Sequence, residues 1–148
     1  MISSIVVGTD GSDTAAIAVA QAVELARALA ARLYIVSAYE PVPEGRLRSE
    51  RLSAPKDVQW AFNPREEVLE LLESAASDAH DAGVKQVETF ARVGDAADAI
   101  VDVAEEQRTD LIVVGNKGMT GATRFLLGSV PNKVSHHAPC SVLIVRTT

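Results

Sequence analysis

An open, doubly wound parallel α/β sheet is the fold that this 148-residue sequence predicts. Two observations carry the expectation. Short β-branched or apolar runs alternate along the chain with longer stretches that place an apolar residue every three or four positions. One of those runs, Leu111-Ile112-Val113-Val114, passes directly into a glycine-spaced loop, Gly115-Asn116-Lys117-Gly118. Strands separated by helices pair in parallel through right-handed crossovers, which puts helices on both faces of the sheet. The length suits a single domain over residues 1–148, with one core and room for one site.

The first strand, residues 5–8, is Ile-Val-Val-Gly and stops at the turn signal Thr9-Asp10-Gly11. Ser12 is placed to cap a helix over 13–31, in which Val19, Val23, Ala26 and Ala30 recur at helical spacing. A second strand over 33–38 leads into residues 40–63, long for a connection within a compact domain. That stretch holds Pro41, Pro43, Gly45 and Pro55, the cluster Arg46, Arg48 and Arg51, and the apolar pair Trp60 and Phe62. It reads as a mobile segment near the mouth of the crevice, its arginines solvated and its two aromatics stapling it to the next helix. The next helix spans 64–82, with Asn63 as cap, Pro64 in first position, and Gly83 as stop. Its inward stripe is Val68, Leu71, Leu72, Ala75, Ala79 and Ala82. Residues 87–93 alternate Val87, Thr89, Ala91 and Val93 against Glu88, Phe90 and Arg92, the pattern of an edge strand or of one less protected face. Asp95 caps a helix ending at Gln107 that turns Ala97, Ile100, Val103 and Ala104 inward. A strand over 111–115, the glycine loop, a helix with Pro131 in its first turn, and a strand over 142–145 complete the order. Every strand except 87–93 reads as buried on both faces.

The loop after the fourth strand is where chemistry concentrates. A buried strand that ends in glycines and leads into a helix can aim several backbone N–H groups at one anion, and the helix dipole adds to the attraction. Glycine permits positive φ and lets a ligand approach the backbone without meeting a Cβ. Ser129, just after Gly128, would add a hydroxyl to its N–H. Taken singly, Gly115 is also explained by a strand-end turn and Gly128-Ser129 by an ordinary helix cap. Together, at the carboxyl end of a buried strand, they stand where open α/β sheets bind ligands.

The spacing Gly-x2-Gly-x9-Gly-Ser, from Gly115 and Gly118 to Gly128-Ser129, resembles the nucleotide-binding loop of the universal stress protein family. Ile5-Val6-Val7-Gly8-Thr9-Asp10-Gly11-Ser12 resembles that family's first strand and acidic turn, so the likeness spans nearly the whole chain. It implies a Rossmann-like adenine-nucleotide fold with sheet order 3-2-1-4-5, in which strands 1 and 4 are neighbours and Thr9-Asp10 shares a crevice with Gly115. It implies that Asp10 contacts the nucleoside, with Thr9 on the same wall, and that Ala38 offers main-chain groups to the purine. Gly115, Asn116, Lys117 and Gly118 would run along the ribose and phosphates, while Gly128, Ser129 and Val130 hold the terminal phosphates. On local grounds Asp10 is explained almost as well by an Asx-turn. Lys117 and Arg124 are cations near the expected anion, and each is equally explained as a solvent-exposed loop residue. The implied cofactor is ATP or another adenine nucleotide, and any Mg2+ would be held by the phosphates. The family also pairs its last strand antiparallel with a second copy, and an apolar edge at 142–145 would need such cover, so a homodimer is expected.

Composition narrows the rest. A formal charge of −6 with 14 scattered Lys and Arg argues against a nucleic-acid partner. No apolar stretch is long enough to span a bilayer, and Met1-Ile2-Ser3-Ser4 leads into a strand without a signal-type pattern. The single cysteine, Cys140, excludes an internal disulfide and fits a reducing cytoplasm, as a small buried or half-buried side chain. Neither Gly-x4-Gly-Lys-Ser/Thr nor Gly-x-Gly-x2-Gly occurs after a strand, which disfavours P-loop hydrolysis and dinucleotide cofactors. His80, His136 and His137 read as structural, and no His, Asp or Glu cluster has metal-ligand spacing. The expected function is a cytoplasmic, nucleotide-binding stress regulator. A slow ATP hydrolase using Asp10 and Ser129 is the alternative. A phospho-receiver module is disfavoured because strand three ends Val93-Gly94, without the acidic residue such modules need there.

Overall fold

The computed structural model describes residues 1–41, 64–116 and 128–147. In chain order the described elements are β1 (Ser4–Gly8), α1 (Asp13–Leu29), β2 (Arg32–Tyr39), α2 (Pro64–Asp81), β3 (Val87–Val93), α3 (Ala96–Gln107), β4 (Leu111–Gly115), α4 (Ser129–His137) and β5 (Ser141–Val145). The strands form one parallel sheet in the order β3-β2-β1-β4-β5, as the sequence led us to expect.

Successive strand residues point to opposite faces, and this alternation divides the core in two. Ile5, Val7, Leu33, Ile35 and Val113 meet α1 and α2, whereas Val6, Val36, Ile112 and Val114 meet α3 and α4. The chain winds outward from β1 to β3, then returns across the sheet to place β4 on the other side of β1, with Val7 opposite Val113. The strand order therefore reverses between β1 and β4, the position at which open α/β sheets leave a crevice beyond the carboxyl ends of their strands.

Local chemistry sets most helix ends. Ser12 caps α1 by accepting the Ala15 N–H at 3.2 Å, and Asp95 caps α3 by accepting the Asp98 N–H at 3.0 Å. Gly83, at φ +107°, takes the left-handed turn after α2. His80 Nδ1 lies 3.0 Å from the Val84 carbonyl, a structural role. Asn63 and residues 42–62, including Trp60, Phe62 and the arginine cluster, lie outside the described residues.

Several expectations need correction. α1 ends at Leu29 rather than at 31, because Ala30 adopts the left-handed conformation (φ 53°) and its N–H turns back to the carbonyls of Ala26 and Arg27. Its fully buried stripe is Ala18, Ala22 and Ala26; Val19 and Val23 pack only partly, and Ala30 is exposed. Small alanines let the helix approach the sheet, and the larger valines turn toward its flank. Likewise Ala82 falls beyond the end of α2 and is exposed, while Val84 is buried in its place. β5 is not buried on both faces: Leu143 is 37% exposed and none of the strand's residues is fully buried. Four consecutive apolar residues read as core, but an edge strand has only one strand neighbour to cover it.

Candidate functional site

A cavity opens at the carboxyl ends of β1, β2 and β4, and the first turns of three helices, α1, α3 and α4, converge on it. Its floor is apolar, formed by Val36, Ile100 and Val114. Gly8 completes that floor, and a Cβ there would press on the Ile100 side chain and force its end to move, so glycine serves close packing here rather than φ. One wall is the acidic turn, Thr9 and Asp10 with Ser12, Thr14 and Ala15; the opposite side is Ala96, Gly115, Val130 and Pro131.

The acidic turn is built by its own side chains. Asp10 Oδ1 accepts the Ser12 N–H at 2.9 Å, and Thr9 Oγ1 accepts the Gly11 N–H at 3.2 Å. Gly11 takes φ +82° between them. Asp10 thus forms the Asx-turn and faces the cavity at once; a carboxylate offers about four lone-pair directions, so one hydrogen bond leaves acceptor capacity.

Ala38 is placed by the end of a ladder. Thr9 N–H donates to the Val36 carbonyl at 2.9 Å, the last rung on the β1 side. On the β3 side Gly94 N–H donates to the Tyr39 carbonyl at 2.9 Å. Main-chain groups alternate sides along a strand, so the N–H and carbonyl of Ala38 point toward β1 beyond the point where β1 has ended. They border the cavity as an adjacent donor and acceptor.

The three helix N-termini differ. Ser12 and Asp95 satisfy α1 and α3 with their own side chains. α4 begins at Gly128 (φ −64°, ψ 168°), which makes no side-chain cap, and among the described residues no side chain caps this end. Unsatisfied first-turn N–H groups and the dipole make such an end receptive to an anion. On the outer side Lys133 of α4 reaches α3, with Nζ 2.9 Å from Asp98 Oδ1 and 3.2 Å from Asp95 Oδ2. The Asp98 N–H, and after it Lys133, hold the Asp95 carboxyl below the ordinary range; Asp98 and Asp95 raise Lys133.

The two halves of the glycine motif meet. Gly128 N–H donates to the Asn116 carbonyl at 3.0 Å, which brings the end of β4 against the start of α4. Of the residues expected at the site, Thr9, Asp10, Ala38, Gly115 and Val130 line the cavity. Gly128 and Ser129 stand at the helix end beside Val130. Asn116 adjoins Gly115, but its side-chain oxygen is taken by Thr147. Lys117, Gly118 and Arg124 lie outside the described residues. Gly8, Ser12, Val36, Ala96, Ile100, Val114 and Pro131 were not expected as lining. Most carried a signal that pointed to the core or to a cap, and those roles are also filled.

Among the described residues no group of three His, Cys, Asp or Glu is placed to hold a metal ion. Among them, too, no helix is long and apolar enough to cross a membrane. Burial, the largest cause, raises the Cys140 thiol above its usual value, which suits the structural role expected for it. Asp95, the acidic group nearest the end of β3, is engaged as a helix cap and with Lys133.

Comparison with known proteins places these features in a family. The model of the universal stress protein family matches residues 1–146. A universal stress protein of Mycobacterium tuberculosis is 43% identical over 145 residues, covering 98% of this chain and 97% of the relative. One from Thermus aquaticus is 37% identical over 148 residues, covering 99% of this chain and all of the relative, 100%. Among solved structures, a universal stress protein in complex with cAMP is similar at TM-score 0.75 and 35% identity, over 99% of this chain and 98% of that one. The universal stress protein from Archaeoglobus fulgidus in complex with dAMP is similar at TM-score 0.67 and 29% identity, over 99% and 100%.

Proposed function

The chain belongs to the universal stress protein family, and from that premise we propose that it is a cytoplasmic stress-response regulator that binds an adenine nucleotide, ATP in the first instance, in the cavity between β1 and β4. The observation that carries the reading is the helix end at Gly128, which lacks a side-chain cap among the described residues and leads into Val130 and Pro131, two residues that line the same cavity as Asp10. Phosphates would complete that helix end through the N–H groups of Ser129 and Val130 and the Ser129 hydroxyl, with Gly115 and Asn116 bordering the ribose side. Asp10 would accept hydrogen bonds from the sugar hydroxyls. The apolar floor of Val36, Ile100 and Val114 suits a purine face. Ala38 offers a donor beside an acceptor, which complements N1 and the 6-amino group of adenine and opposes the reversed pair on guanine. Lys117, Gly118 and Arg124 complete the proposed phosphate loop.

Two solved relatives bound to adenine nucleotides, cAMP in one and dAMP in the other, support the ligand class. With no acidic or histidine cluster for a metal among the described residues, Mg2+ would arrive on the phosphates. No described histidine lines the cavity, and its one carboxylate, Asp10, is engaged in the Asx-turn, so we favour binding over turnover. Titration calorimetry with ATP, AMP, cAMP and GTP tests the reading. It stands if adenine nucleotides bind and GTP binds at least tenfold more weakly, and it fails if none binds. Phosphate release abolished by Ser129→Ala would instead favour the slow hydrolase.

The two sheet edges support a homodimer through β5. β3 guards its edge with Glu88 and with Arg92, which is paired to Glu106 at 2.9 Å, whereas β5 is Ser-Val-Leu-Ile-Val without a charge. Antiparallel pairing of two β5 strands about a two-fold axis would cover Leu143. Sedimentation of a monomer at micromolar concentration would contradict it.

A further inference from the structure

Among the described residues Asn116 makes four hydrogen bonds, none of them to the cavity. Its N–H donates to the Val145 carbonyl at 2.9 Å and its carbonyl accepts the Gly128 N–H at 3.0 Å. Its side-chain oxygen accepts from Thr147 twice, from the N–H at 2.8 Å and from the hydroxyl at 2.9 Å. A backbone N–H can only donate, so the amide orientation is fixed: the oxygen faces Thr147. Thr147 is 9% exposed, and among the described residues its N–H and hydroxyl have only Asn116 as partner. Removing that oxygen would leave two donors stranded in a largely dry place, the costly way to break a hydrogen bond.

We infer that Asn116 and Thr147 form a latch that positions the phosphate-binding end of α4. The segment after β5 thereby sets the affinity of a cavity that it does not touch. The latch rests on the proposed nucleotide site for its effect on affinity, though not for its existence. The route is short: Thr147 fixes the Asn116 side chain, the Asn116 carbonyl holds the Gly128 N–H, and Gly128 aims the N–H groups of Ser129 and Val130. Asn116 is accordingly a positioning residue whose side chain makes no contact with the ligand. By the same route, displacement of residues 146–147 would loosen nucleotide.

Asn116→Ala, Thr147→Val, their double variant and the conservative Thr147→Ser separate the latch from a general loss of fold. ATP affinity is read by calorimetry, and hydrogen exchange of the Gly128 amide is read in nucleotide-free protein. Asn116→Ala is expected to weaken ATP about tenfold and Thr147→Val a few-fold. The double variant should be no weaker than Asn116→Ala alone, since both remove one linkage. Thr147→Ser should bind as the unaltered protein does. Gly128 exchange should quicken in Asn116→Ala and Thr147→Val, with core amides such as that of Val7 unchanged. Additive losses, or unaltered Gly128 protection in both single variants, would overturn the latch. If the unaltered protein binds no adenine nucleotide but Gly128 exchange still quickens, the proposed function falls and the latch stands. If ATP binds and both variants bind it equally well with Gly128 protected, the latch falls and the function stands.

Discussion

The N-termini of α3 and α4 lie side by side, border the same cavity and are joined by Lys133, yet they are finished in opposite ways. Asp95 closes α3 with a carboxylate that accepts the Asp98 N–H at 3.0 Å. Among the described residues no side chain caps α4 at Gly128, and Pro131 removes one donor from its first turn without supplying an acceptor. The difference separates what a helix end contributes to stability from what it contributes to binding. A capped end is worth about 1 kcal/mol to the fold and is spent on it. An end without a cap is weaker as structure and keeps its N–H groups for a guest.

The sharpest way to break the contrast is to give α4 the negative charge it lacks. In Ser129→Asp a carboxylate enters the first turn of an exposed position, where it favours the helix by about 0.3–1 kcal/mol. Set about 4 Å from a phosphate at an effective dielectric near 20, the same charge opposes binding by about 4 kcal/mol. ATP affinity is therefore expected to fall at least 100-fold while thermal stability holds or rises. Equal losses in calorimetry and in melting would show instead that the substitution merely disrupts α4.

Next in size is a change to the floor that the two helix ends share. Gly8→Ala places a methyl group against Ile100 of α3, and overpacking of this kind costs about 1–3 kcal/mol. Stability should drop and Ile100→Val should restore part of it. Since Ile100 belongs to α3, α4 should retain its exchange protection.

Asp95→Ala acts on the capped end alone. The expected loss is about 1 kcal/mol of stability, read by denaturant unfolding, with ATP affinity changed less than threefold. A large loss of affinity would mean that Lys133, freed from Asp95, has carried α4 away from its place.

Which of these features the sequence discloses follows from the range of the interactions behind them. Ser12 and Asp95 are legible as caps because each bonds an N–H three residues away. The strand order is legible through the likeness of Gly115 to Ser129 and of residues 5–12 to a known family. The end of α1 is not legible, since Ala30 takes left-handed φ without being glycine and only the surrounding fold holds it there. The four-residue apolar run of β5 hides its edge position because burial depends on neighbours. The sequence places Asn116 along the ribose and phosphates but does not disclose what its side chain bonds, because that partner, Thr147, lies 31 residues away.

The smallest effect concerns pH, and it tests whether Asp95 serves α3 as cap or as ion pair. Its carboxyl is held low chiefly by the Asp98 N–H and secondarily by Lys133. A carboxyl lowered on folding contributes stability that is fully present above its unfolded value, about 3.9, and is lost as pH falls through the lower folded value. Lys133 behaves in the opposite sense: raised on folding, it contributes fully below about 10.4 and loses that contribution as pH climbs through its folded value. Asp95→Asn keeps an oxygen for the Asp98 N–H and removes the charge. Asparagine caps about as well as aspartate, and exposed ion pairs are worth only about 0–1 kcal/mol, so the loss at neutral pH should be a few tenths of a kcal/mol. In the variant the Asp95 share of the acid-limb decline below about pH 4 should vanish. On the alkaline limb Asp98 still faces Lys133 at 2.9 Å, so most of the fall as pH climbs through the raised Lys133 value should persist. If Asp95→Asn costs as much as Asp95→Ala, the ion pair rather than the cap finishes α3, and the contrast with α4 becomes one of charge.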